Sequence, residues 1–191
     1  AHAQGPILET PSDPFSSLNM AFVQDGVQLE IPANTQLEAP IYLLFIGNAD
    51  AEPICSHPRI RISVGRNAHA TVIQNHIHTG DAPAWINAVV QAHVGANSHL
   101  YHYLIHHGDD DLQYIGNITA RVERDATYHS HTFWMGGPFT RNDIKVDLAE
   151  PGSHTDLYGL YLCGGKEHLD NHTAIEHQVP HCTSTELYKG V

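Results

Sequence analysis

Seventeen histidines, three cysteines and one run of three aspartates are the residues of this sequence best suited to chemistry. Imidazoles, thiolates and carboxylates ligate zinc and other transition metals, and paired carboxylates carry glycoside hydrolysis. His76-x-His78 and His129-x-His131 each place two rings on one face of a strand. A cupin metal motif begins this way but continues with a Glu a few residues later. After His78 come Thr79, Gly80 and Asp81, and no Glu follows His131 either. His168, His172, His177 and His181, with Cys182, form the densest cluster. On a helix the first two would be i, i+4 partners for zinc. HLDNHT contains Asn171, however, which opens a repeat unit, so a helix is not expected there. No two of Cys55, Cys163 and Cys182 have ligand spacing. Cys182 reads as a small buried residue, and Cys163, before Gly164-Gly165, as a structural one. Asp109-Asp110-Asp111 follows Gly108 between units and reads as a solvated loop. No catalytic, cofactor-binding or metal-binding residue is therefore assigned.

The elements that would carry these side chains follow from a repeat. Turn pairs occur at Asn67-Ala68, Asn97-Ser98, Asp125-Ala126, Gly152-Ser153 and His181-Cys182, with Asn34-Thr35 as a weaker, earlier member. Successive pairs are 30, 28, 27 and 29 residues apart. Four of the five first residues are Asn, Asp or Gly, which tolerate a left-handed backbone. The second residue is always small, which suits a tight inward corner. Before the turns stand Ile60-Ile62-Val64, Val90-Ala92-Val94, Ile118-Ala120-Val122 and Ile144-Val146-Leu148. Their period of two marks strands with one buried face. Asn87, Asn117, Asn142 and Asn171 are read as the starts of successive units.

A repeat of about 28 residues built from short strands means a solenoid. The leucine pattern of leucine-rich repeats is absent, and propeller blades need about 40 residues. A β-helix remains, with a β-sandwich as the plainer rival. In a β-helix, His69, His99, Thr127, His154 and Thr183 would stack about 4.8 Å apart as a polar ladder rather than a coordination sphere. Near the N-terminus, Asp13 and Pro14 predict the N-cap and first residue of a helix over 14–22, with Phe15, Leu18 and Phe22 on one face. Residues 1–13 read as an extended lead-in and 27–31 as a strand. The predicted organisation is a lead-in and short helix over 1–26 and a β-helix core over 27–191.

Composition narrows the partners. A net charge of −12 argues against nucleic acid and anionic membranes, which select positive surfaces. No run of about 18 apolar residues is present. Nothing at the N-terminus pairs a basic region with an apolar one, so no signal peptide is expected, and the start at Ala1 fits a trimmed chain. An odd count of three cysteines fits a reducing cytosol. Full protonation of the histidines would take the net charge from −12 to +5. Stacked imidazoles should repel when charged, so stability should be present at higher pH and lost as pH falls through roughly 6 to 5.

Several stretches carry a resemblance: PFSSLNMAF, PIYLLFIG, HPRIRISVGRNA, GGPFTRNDIKVDL, LYGLYL, HLDNHT and ELYKGV. From about Pro14 to Val191 the chain resembles the core domain shared by SufB and SufD, and within that family the SufD branch. These are paired scaffold proteins of the Suf iron–sulfur cluster assembly system. The resemblance implies a right-handed parallel β-helix with one short N-terminal helix. It implies a cytoplasmic, non-catalytic scaffold subunit that pairs with a SufB homologue and the ATPase SufC. No cofactor would be held stably, and an iron–sulfur cluster would pass through the full complex transiently. Family members run on through further coils and an ATPase-docking helical segment, so the resemblance implies a C-terminally truncated fragment that lacks the SufC-docking segment. The family's functional histidine lies in that later stretch, and no family residue maps onto a position here. A β-helix ending between coils would pair end to end with a second copy or fray. Two other functions suit the residues: a β-helix polysaccharide lyase or hydrolase, and a histidine-rich metal-binding module.

Overall fold

The computed structural model describes residues 13–108 and 111–191. The expected lead-in over 1–13 lies outside them except for Asp13, as do Asp109 and Asp110. Helix α1 spans Pro14–Phe22. Thirteen strands follow: β1 Gly26–Ile31, β2 Ile41–Asn48, β3 Ile54–Ser56, β4 Arg59–Val64, β5 His69–Thr79, β6 Ala84–Val94, β7 His99–His107, β8 Leu112–Val122, β9 Thr127–Met135, β10 Phe139–Leu148, β11 His154–Leu162, β12 His168–His177 and β13 Thr183–Gly190. They form two sheets in which every pairing is parallel. Sheet A runs β1-β4-β6-β8-β10-β12, with β3 also on β6; sheet B runs β13-β11-β9-β7-β5-β2. The chain alternates between the sheets, so each coil stacks on the one before it. This is the parallel β-helix predicted from the repeat.

The corner between the sheets is built as the turn pairs require. Asn34, Asn67, Asn97, Asp125, Gly152 and His181 all have positive φ, between 53° and 79°. Asn34 is therefore a full member of the series. His181 belongs with them, because histidine, like asparagine and aspartate, is among the non-glycine residues enriched in the left-handed region. The asparagines also form a ladder: Asn67 Nδ2 donates to Asn34 Oδ1 at 3.0 Å, and Asn97 Nδ2 donates to Asn67 Oδ1 at 2.8 Å. The small residues point inward. Ala68, Ser98, Ala126 and Ser153 are at most 1% exposed, and Cys182 is half-buried in the last coil. The Ser98 hydroxyl closes two coils at once, donating to Gly65 O and accepting from Ala68 N. One residue later, His69, His99, Thr127, His154 and Thr183 pair in register, as the predicted ladder.

Alternation along the strands fills the lumen with apolar columns. Ile60, Val90, Ile118 and Ile144 stack in one column; Val64, Val94, Val122 and Leu148 stack in another. All eight are at most 2% exposed. Each such burial contributes about 1.5–3 kcal/mol relative to exposure. The asparagines read as unit starts do not form one column. Asn142 pairs with Asn171, but Asn87 sits opposite Ile115 and Asn117 opposite Asp143. Loops between coils differ in length, so regular spacing in sequence does not become register on that side.

Helix α1 begins as predicted. Asp13 Oδ1 accepts from the backbone of Phe15 and Ser16, both at 2.9 Å. The face shared by Phe15, Leu18 and Phe22 is not its most buried one, although Phe15 and Leu18 are half-buried. Ser16 and Asn19 are buried, whereas Phe22 is 59% exposed. The surface under the helix explains this. Asn19 Nδ2 donates to Pro58 O and Asn87 O, Arg59 Nη1 donates to Asn19 Oδ1, and Asn87 Nδ2 donates to Phe15 O. Pro58 O, between β3 and β4, and Asn87 O, on β6, are paired by a polar helix side chain, which an apolar one could not do.

The last two strands lock by complementary shape. Gly159 on β11 faces Tyr188 on β13, and Tyr161 faces Gly190. A Cβ at Gly159 would fall inside the Tyr188 ring, and one at Gly190 inside the Tyr161 ring. Gly159→Val should therefore unseat Tyr188, lower stability by about 1–3 kcal/mol and abolish amide protection across β13. Hydrogen exchange that leaves Thr183–Gly190 as protected as in the parent would refute this.

Candidate functional site

Parity from the corner decides which way each side chain points. The small corner residue faces the lumen, so even offsets from it face inward and odd offsets face outward. His76, His102 and His106 lie at offsets 8, 4 and 8 and are 0% exposed. His129 and His131 lie at offsets 3 and 5 and are half-buried on the outer face. The two His-x-His motifs thus occupy opposite faces of sheet B. The corner residues supply that signal in the sequence itself, and the strand pattern alone does not.

On the outer face, Tyr101, His129 and Asp156 are register partners on β7, β9 and β11. Tyr103, His131 and Tyr158 form the adjacent column. The His129 ring stacks on Tyr101 at 4.2 Å and 13°, and His131 on Tyr103 at 4.7 Å and 12°. His129 Nδ1 lies 2.8 Å from Asp156 Oδ2, and His154 Nε2 lies 3.0 Å from Asp156 Oδ1. One carboxylate thus orients two imidazoles from successive coils. Burial lowers the pKa of His129, outweighing the upward pull of Asp156, and burial likewise lowers that of His131.

Inside the lumen, four polar side chains from three coils form a line. Tyr128 Oη lies 3.0 Å from His102 Nδ1, His102 Nε2 lies 3.2 Å from Gln74 Oε1, and Gln74 Nε2 lies 2.7 Å from His76 Nε2. Gln74 donates to His76 and accepts from His102, which places the His102 proton on Nε2. His76 stacks on Phe45 at 4.7 Å and 14° and meets Tyr114 edge-on. Burial holds the His76 pKa at about 3, with neighbouring His106 adding to the effect, and that of His102 at about 4. His78, the other half of its motif, reaches Ala82 O instead.

The cysteines stand apart from one another. Cys55 borders a groove of about 640 Å³ between α1, β2 and β3. Its Sγ is 3.3 Å from His57 Nε2. Asn87 Nδ2 donates to Phe15 O and faces His57 Nδ1 at 3.2 Å, so the imidazole proton sits on Nε2 and points at sulfur. That tautomer cannot take a proton from the thiol. Burial raises the Cys55 pKa and lowers that of His57, so the pair is neutral and the thiol is not activated. Cys163, read as structural, is exposed, with Sγ 3.3 Å from Glu167 O. Cys182 packs against Ser153 as a small corner residue. His168 and His172 lie on strand β12 and not on a helix, so they are not zinc-spaced i, i+4 partners. Among the described residues, no three His, Cys, Asp or Glu side chains form a metal-holding group.

Two of the quoted stretches meet across coils. Arg141 grips Asp143 through Nε and Nη2, at 2.9 and 3.0 Å, and bridges to Asp170 on β12 at 3.1 Å. His172 Nδ1 joins the same pair of carboxylates. The RND and HLDNHT segments are therefore one cross-coil ion network.

A family model described as "SUF system FeS cluster assembly, SufBD core domain" matches residues 45–191. The chain is 27% identical over 185 residues to an iron–sulfur cluster assembly SufBD family protein of Synechocystis, covering 93% of this chain and 41% of that protein. It is 26% identical over 179 residues to the iron–sulfur cluster assembly protein SufD of Escherichia coli, covering 93% and 42%. It is 24% identical over 185 residues to the chloroplastic protein ABCI7 of Arabidopsis thaliana, covering 94% and 39%. The chain thus spans about two fifths of the length of the curated relatives it matches.

Proposed function

The chain belongs to the SufBD core domain family of SUF-system iron–sulfur cluster assembly, and on that premise we propose that it serves as the β-helix of a scaffold subunit in a Suf assembly complex. In this role it is a SufD-type, non-catalytic component working in the cytosol. It pairs with a SufB-type subunit and a SufC-type ATPase, and the iron–sulfur cluster is cargo that passes through the complex. The observation that carries the proposal is the family match over residues 45–191. The parallel β-helix supports it, because stacked coils make a stiff rod whose outer faces can hold two subunits in fixed relation. Among the described residues no helix is long and apolar enough to cross a membrane.

Co-expression of the tagged chain with SufB-type and SufC-type subunits tests the proposal. Recovery of the SufB-type subunit on the tag is expected, with the ATPase following through the complex. Recovery of neither subunit, or release of reducing sugar from pectin or alginate by the purified chain, would overturn it.

A further inference from the structure

We propose that His129 and His131 chelate a divalent transition-metal ion on the outer face of sheet B, with Asp156 as the residue that holds the His129 ring for it. Three observations carry this. The two residues are i and i+2 on β9, so their side chains leave the same face about 6.6–6.8 Å apart. That is a span two imidazoles can close on one ion with metal–nitrogen distances of about 2.0–2.1 Å. Each ring also lies nearly parallel to the tyrosine of the preceding coil, at 13° and 12°. Each ring is thereby held against a tyrosine face on the same outer surface of sheet B. Finally, Asp156 Oδ2 accepts from His129 Nδ1–H, which leaves the Nε2 lone pair available. A carboxylate behind a histidine is the usual outer support of a ligating imidazole, fixing its tautomer and raising its basicity.

The donor set defines the class of ion. Two neutral imidazoles with the remaining positions left to water suit copper, nickel or zinc, and affinity rises towards copper(II). Magnesium and calcium, which need oxygen ligands, are excluded. The inference is independent of any role in cluster assembly.

Titration of the chain with copper(II) at pH 7.5, read by calorimetry and electron paramagnetic resonance, tests it. One site should stand out from the weak background of the other histidines, with two equatorial nitrogens in the spectrum. His129→Gln and His131→Gln should each remove that site, while His168→Gln on the opposite sheet leaves it intact. Asp156→Asn should weaken it about 10–100-fold. Circular dichroism verifies that each variant keeps its strands. An unchanged site in the His129→Gln/His131→Gln double variant would overturn the proposal. So would a parent spectrum showing one nitrogen, or loss of the site in His168→Gln. The spectrum needs no variant, so a folding failure in either substitution still leaves a decisive reading.

Discussion

Acidification from pH 8 to pH 5 should cost the fold roughly 4 kcal/mol through His76 and His102 alone. Both side chains are 0% exposed, and both are held neutral by burial, with pKa values of about 3 and about 4. An unfolded chain would titrate them near 6.5. Below that pH the unfolded state binds two protons that the folded lumen refuses. Stability is therefore fully present above about pH 6.5 and falls as pH drops, by about 1.4 kcal/mol per unit for each group. The loss from His102 levels off near pH 4 and that from His76 near pH 3. The described residues facing the two rings offer no relief. His76 faces His106, Phe45 and Tyr114, and His102 faces Gln74 and Tyr128, none of which carries a negative charge in that range. Urea midpoints at pH 8, 6.5 and 5 would measure the slope. His102→Gln, which keeps a polar partner for Gln74 and Tyr128, should remove about half of it. A midpoint that holds steady between pH 6.5 and 5 would show that the lumen admits protons and would overturn this account. The sequence predicts the same sign of pH dependence, but from repulsion between stacked histidines. The structure assigns the main cause to burial inside the coil. Repulsion is secondary: His106 acting on His76 and His69 acting on His99 follow burial as causes.

Replacing Trp134 by alanine should destabilise the chain by about 3–5 kcal/mol. The indole is completely buried and touches His106 and Tyr114, with ring centroids 5.6 and 5.2 Å away. It fills the lumen beside the rings of β7 and β8, and Ala would leave a void that rigid strands cannot close. Its Nε1–H finds no acceptor among the described residues. Trp134→Phe keeps most of the volume and removes that orphan donor, so it should cost less than about 1.5 kcal/mol. Equilibrium unfolding of the two variants separates the possibilities. Equal losses would mean that the indole N–H has a partner after all, and negligible loss for Ala would mean that the lumen collapses freely.

Much of the architecture is written in short-range pattern. Each turn pairs a residue that accepts positive φ with a small residue that accepts a tight corner, and the pairs recur every 27–30 positions. Backbone sterics at Asn67, Asn97, Asp125 and Gly152 are local, so the sequence alone determines the coil, the inward column of Ala68 through Cys182 and the ladder of His69, His99 and His154. Counting from the corner even places Tyr101, His129 and Asp156 in one column, because parallel coils repeat the same parity. What the sequence withholds depends on neighbours far along the chain. Phe15, Leu18 and Phe22 share an apolar helix face, yet α1 docks through Asn19, because the carbonyls of Pro58 and Asn87 beneath it must be paired. Nothing in the spacing of His76, His102 and Gln74 shows that they would line up across three coils. Nor does it show that His129 would lie flat between Tyr101 and Asp156 with its proton on one chosen nitrogen. Ring orientation, tautomer and charge state follow from desolvation and from contacts summed over several coils. The period of a strand records which side a residue leaves by; only the packed neighbours determine what it meets there.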